Sequence, residues 1–199
     1  MKMFYKNVVY LTGIVLFCFG SLISFGQAVG TIQIGSGTAT NFNHPMNTNW
    51  GFNLTQQIVR KSEMTAGNAM VGDLTKIRFF YAGSIAPNAN WCTWTVSIAN
   101  STRTSFASDS DWEPAASFTT VFSGVVSMVS NGWVEIPFTA PFNYTGEGLI
   151  VQVNENVIGY PGSSNFRSYT SLANTGMSAR SDSSNPTTSS AGTRTGEIA

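Results

Sequence analysis

Alternation of apolar and polar side chains with a period of two constrains this chain more than any other feature. It is clearest in residues 131–156, which read NGWVEIPFTAPFNYTGEGLIVQVNEN. Val134, Ile136 and Phe138 share one side of a segment that Trp133 opens, because successive side chains of a strand point to opposite faces. Leu149, Val151 and Val153 repeat the pattern against Ile150, Gln152 and Asn154. Asn131-Gly132 and Gly146-Glu147-Gly148 supply residues that tolerate positive φ. The reading is an antiparallel strand pair joined by a wide turn over residues 141–146.

The theme recurs along the chain. Short strands are expected at 29–34, where Gly35-Ser36-Gly37 ends the first, and at 50–60, 74–81, 91–99, 118–128 and 166–170. In 74–81, Ile77, Phe79 and Tyr81 lie on one face and Lys76 and Arg78 on the other. In 91–99, Trp94, Val96 and Ile98 point inward. Gly124 marks an expected bulge or tight bend. No helix longer than a turn or two is supported. Such strands predict an all-β fold, two antiparallel sheets packed as a jelly-roll-like sandwich. The expected core is Ile77, Phe79, Trp94, Val96, Ile98, Val134, Ile136, Leu149, Val151 and Val153. With 199 residues, 13% of them aromatic, the chain is long enough for one such core.

The N-terminus reads differently. Lys2 and Lys6 precede an apolar run over 8–25, and small residues follow at Ser24, Gly26 and Ala28. Basic, apolar, small is the order of a secretory signal peptide. Residues 1–28 are therefore expected to be a leader, cleaved after Gly26 or after Ala28, with a retained membrane anchor as the alternative. Bulky Phe17 before Cys18 makes a poor lipoprotein site. Residues 29–199 would then form a single domain, secreted or on the cell surface, with no membrane contact after the leader is removed. That mature chain keeps eight Lys and Arg against ten Asp and Glu. It has no basic stripe, so nucleic acid is not an expected partner. Cys92 is left without a second cysteine for a disulfide and reads as core filling between Trp91 and Trp94.

Several motifs together resemble a β-sandwich module common in secreted and surface proteins of Bacteroidetes. They are Ile34-Gly35-Ser36-Gly37-Thr38, Gln56-Gln57-Ile58-Val59, the 74–81 strand, Asp111-Trp112, and Asn131-Gly132-Trp133 with Pro141-Phe142-Asn143-Tyr144 and Leu149-Ile150-Val151. The resemblance spans about residues 29–199. It implies a neighbourhood of fibronectin type III, peptidase or type IX secretion sorting domains, and so either a lone copy or part of a longer protein. It also implies that Thr193-Arg194-Thr195-Gly196 leads into a final strand. It implies no catalytic residue.

Catalysis is not expected from the residues either. There is no Gly-x-Ser-x-Gly, no His-Glu-x-x-His and no cysteine ligand pair. The only histidine, His44, precedes Pro45 in a polar loop and reads as solvated. Asp109, Asp111 and Glu113 cluster around Trp112. They are candidate ligands for Ca²⁺, the one cofactor the chain suggests, against a plain turn with Trp112 packed on the sandwich edge. Trp50, Trp91, Trp112 and Tyr160 fall near loops and are candidate platforms for sugar rings, or plugs at the ends of the sandwich. The expected function is a non-catalytic binding or adhesion module for glycans or extracellular matrix. The alternative is a structural accessory domain with no ligand of its own.

Residues 171–191 have the Ser/Thr/Asn/Gly composition of a flexible linker. Within them, 181–190 is expected as an exposed, mobile loop. Residues 193–198 are expected to pair weakly, as an edge strand, beside 29–34.

Overall fold

The computed structural model describes residues 30–41, 43–47, 49–84, 91–159 and 165–199. The proposed leader lies outside them. Among them, eleven strands, one short α-helix and one 3-10 turn follow in order: β1 (Ala39–Asn41), β2 (Phe52–Val59), α1 (Lys61–Ala66), β3 (Gly72–Tyr81), β4 (Thr93–Ser101), the 3-10 turn (Ala115–Ser117), β5 (Thr119–Val125), β6 (Gly132–Tyr144), β7 (Gly148–Glu155), β8 (Phe166–Thr170), β9 (Gly176–Ser181), β10 (Thr193–Thr195) and β11 (Glu197–Ile198). They form two antiparallel sheets facing each other, the β-sandwich that the alternation predicts. One sheet runs β1-β8-β3-β6, with β11 also on β8; the other runs β10-β9-β2-β7-β4-β5.

The core between the sheets is the expected one. Phe79, Trp94, Val96, Ile98, Val134, Ile136, Leu149, Val151 and Val153 are buried there, with Ile77 packed against them. Burying each Ile, Val or Phe contributes roughly 1.5–3 kcal/mol.

The opening strand pair is corrected. β6 pairs with β3 and β7 pairs with β2 and β4, so the two lie in opposite sheets. The turn is also shorter, because β6 runs on to Tyr144. Leu74 faces Phe142 and Lys76 faces Pro137, so residues 138–141 swell out of the ladder opposite Thr75 alone. The Thr139 hydroxyl in that bulge donates to the Val121 carbonyl at 3.1 Å and ties β6 to β5 across the sandwich. Val121 is itself the extra residue in the β4–β5 ladder, the place expected of Gly124.

β7 is buried on both faces rather than one. Leu149, Val151 and Val153 face the inter-sheet core, while Ile150 joins Leu54, Ile58, Met177 and Ala179 in a second core on the other side of the six-stranded sheet. The loop over 102–118 covers that face. Phe106 and Trp112 supply its apolar lid, and Gln56 clasps Glu113 from below, accepting its N–H at 2.8 Å and donating to its carbonyl at 3.0 Å. A central strand with two buried faces reads as a continuous apolar run, here Leu149-Ile150-Val151.

Three further expectations fail at the chain's ends. Residues 30–38 carry no strand. The linker-like segment 171–191 contains β9, which pairs with β2 along six residues and has Met177 and Ala179 in the second core. β10 pairs with β9 and β11 with β8, not with 29–34. The loop between β9 and β10 is largely exposed but anchored, since Trp112 Nε1 donates to the Ser190 carbonyl at 2.9 Å.

Candidate ligand cleft

Among the described residues, β3 has a full partner on one side only, β6. It meets β8 at a single pair, Tyr81 opposite Phe166, and the two strands then separate. Residues 30–38 run along the opening without joining a ladder. Gly35 and Gly37 let that segment press onto β8. A Cβ on Gly37 would stand 2.1 Å from the Ser168 carbonyl oxygen, and one on Gly35, whose φ is +72°, would stand 2.3 Å from the Tyr169 ring. Gly35-Ser36-Gly37 is thus a close-approach motif, not the end of a strand.

Between these two segments lies a cleft of about 520 Å³. Every residue from Asp73 to Phe80 lines it. A strand whose side chains alternate between faces lines a cavity continuously only when its backbone edge faces that cavity. The inner wall is apolar and includes Leu74, Ile77, Leu149 and Val151. Gln57 and Ser168 also border it, and Gln57 Nε2 and Ser168 Oγ are buried without a hydrogen-bond partner among the described residues.

The rim is aromatic and charged. Trp133, 45% exposed, stands edge-on to Phe80 at 5.5 Å. The Arg167 guanidinium lies over the Phe80 ring at 3.7 Å, a cation–π contact. Arg78 donates to Glu135 from Nε at 2.8 Å and Lys76 from Nζ at 3.0 Å. Those hydrogen bonds, Arg78's first, hold the Glu135 carboxyl below its usual range. At the other end, burial pushes the Tyr169 phenol up, and its hydroxyl has no partner among the described residues.

No family model, curated protein or solved structure matches this chain. The fold and the cleft therefore carry the functional reading.

Among the described residues, none of those expected to form a site lines this cleft. Trp91 is fully buried, its ring 6.1 Å from that of Tyr81, and plugs the core. Trp112 is only 5% exposed, under its own loop. Both are core residues instead of sugar platforms, because each has apolar neighbours to cover. Trp50 is half-buried beside the Arg180 guanidinium at 5.1 Å. Tyr160 lies outside the described residues.

The acidic cluster does not converge. Asp109 accepts from Arg194 Nε at 2.7 Å, while Arg103 bonds both Asp111 and Glu113, the latter at 3.2 Å. Asp111 also accepts the Ala107 N–H at 2.6 Å. The carboxylates thus fasten the 102–118 loop through two different guanidinium groups. Among the described residues, no three His, Cys, Asp or Glu side chains gather to hold a metal ion.

His44 is not solvated but fully buried, with Nε2 3.3 Å from the Met177 carbonyl and Nδ1 unpartnered among the described residues. Burial lowers its pKa to about 4, against the raising effect of its bonds to the Met177 and Gln56 backbone. Glu155 is equally enclosed. Burial raises its carboxyl to about 8, although the Val157 N–H, at 3.0 Å, and the Asn53 side chain bond it. Neither residue borders the cleft.

Trp133 was legible as exposed, since Asn131-Gly132 places it at the start of a strand on the side opposite Val134. Nothing in the sequence shows that β3 lacks a second full neighbour among the described residues.

Proposed function

We propose that this chain is a secreted or surface-displayed, non-catalytic binding module that holds an extended ligand in the cleft along β3. The observation that carries this reading is the edge-on lining of the cleft by the unbroken run Asp73 to Phe80. An extended chain matches such a slot in shape, and the main-chain groups along residues 74–80 that pair with no described strand on that side hydrogen-bond it. The order of basic, apolar and small residues at the N-terminus supports export. A module of this kind belongs with the Bacteroidetes surface proteins that the sequence resembles.

Trp133 favours a second reading, in which a glycan stacks on its exposed face beside Arg167. The full chain, immobilised and probed with arrays of oligosaccharides and of extended peptides, tests both. Specific binding that is lost in Trp133→Ala, with the melting temperature unchanged, supports the cleft. Binding that persists in that variant and is blocked only by changes on the 102–118 loop places the site elsewhere. No binding to either array returns the chain to the structural-accessory alternative.

A further inference from the structure

The slot has dimensions and chemistry that narrow its occupant. A strand added to a sheet takes about 3.3 Å along its length, about 4.8 Å to its neighbour and about 10 Å through the layer, or roughly 160 Å³ per residue. A cleft of about 520 Å³ therefore takes at least about three residues of extended chain. Side chains of that strand alternate between two environments. Inward they meet Leu74, Ile77 and Val151, which are apolar. Outward they meet Lys76, Arg78 and Arg167. Lys76 and Arg78 share the one carboxylate of Glu135, and Arg167 is held by the ring of Phe80 rather than by a carboxylate among the described residues. Among the described residues lining the cleft these three cations stand against one side-chain carboxylate, that of Asp73, so the outward rim is basic. Gln57 Nε2 and Ser168 Oγ, buried beside the slot without partners among the described residues, add polar groups that an incoming main chain satisfies.

Building on the reading of the cleft as a ligand site, we propose that its occupant is an extended polypeptide segment of alternating apolar and acidic residues. The segment adds as a strand to the open edge of β3. Its apolar side chains fill the inner wall and its carboxylates meet Arg167, Lys76 and Arg78. Main-chain hydrogen bonds to β3 provide affinity, and the alternation provides specificity.

The test uses the full chain and three probes: a capped Val-Glu alternating hexapeptide, its Val-Lys counterpart and a neutral hexasaccharide. Binding is read by calorimetry and by Trp133 fluorescence. The Val-Glu peptide should bind at least about tenfold more tightly than Val-Lys, because like charges across an interface are strongly disfavoured. Arg167→Glu should reverse that order, and Lys76→Gln, on an exposed side chain, should weaken Val-Glu binding by a smaller factor. Circular dichroism and melting temperature verify that both variants fold. Equal binding of the two peptides overturns the proposal. So does binding of the hexasaccharide alone, which leaves the cleft reading intact. If no probe binds or alters Trp133 fluorescence, the cleft reading and the proposal fall together.

Discussion

Raising the pH from 6.5 to 8 should destabilise this protein through Glu155 alone. The carboxyl is fully buried between Asn53 of β2 and Trp94 of β4, and Oε2 has no partner among the described residues. Burial raises its pKa from 4.5 to about 8, so between those values the folded state holds a proton that the unfolded state has released. Stability then falls as pH rises, by about 1.4 kcal/mol per pH unit for one group. His44 acts in the opposite sense. Its pKa falls from 6.5 to about 4, so the unfolded state holds the extra proton and stability rises with pH across that interval. The two slopes cancel between pH 4.5 and 6.5. Above 6.5 only Glu155 remains, and stability drops by on the order of 2 kcal/mol by pH 8. The thiol of Cys92, raised to about 11 first by burial and then by the Glu155 charge, extends the loss only above pH 9. The assay is urea unfolding by tryptophan fluorescence from pH 4 to 9. Wild type should show a plateau and then a fall. Glu155→Gln, which keeps an oxygen for the Val157 N–H, should rise to pH 6.5 and stay level beyond it. Parallel curves for the two proteins between pH 6.5 and 8 would refute the buried, protonated carboxyl.

Three other outcomes follow from packing. Ile136→Ala removes a fully buried side chain between the sheets and should cost roughly 2–5 kcal/mol in urea unfolding. Gly148→Ala puts a Cβ 2.7 Å from the Val59 carbonyl oxygen and 2.9 Å from that of Ser101, main chain on both sides, and should cost about 1–3 kcal/mol by the same measurement. Arg103→Met releases Asp111 and Glu113 from the 102–118 loop; it should cost about 1–3 kcal/mol and shift Trp112 emission to the red as the loop loosens.

Much of the fold was legible because alternation reports one buried face per strand. Ile77, Phe79 and Tyr81 in β3, and Trp94, Val96 and Ile98 in β4, point inward as their spacing requires. The same signal does not say which sheet a strand joins, which is why β6 and β7 read as partners although a turn carries the chain from one sheet to the other. Alternation is also blind to cover added from outside. Ile150 of β7 is buried only because the 102–118 loop lies over it. β9 escaped notice because Gly176, Ser178 and Ser181 look like linker, yet small residues are required there: a Cβ on Gly176 would stand 2.7 Å from the His44 ring. The cleft was hidden for a related reason. It depends on residues 30–38 failing to complete a sheet, and a stretch ended by Gly35-Ser36-Gly37 reads the same whether or not it pairs.

Amide hydrogen exchange across β3 and β4 in the unliganded chain tests the open edge most directly. β4 has a ladder on each side over residues 94–98, to β5 and to β7, so its amides should be slow throughout that stretch. Among the described residues, β3 has β6 alone over residues 74–80. Alternate amides there, those facing the cleft, should exchange orders of magnitude faster than their neighbours. Uniformly slow exchange along 74–80 would show that the edge is already paired and that the cleft is closed.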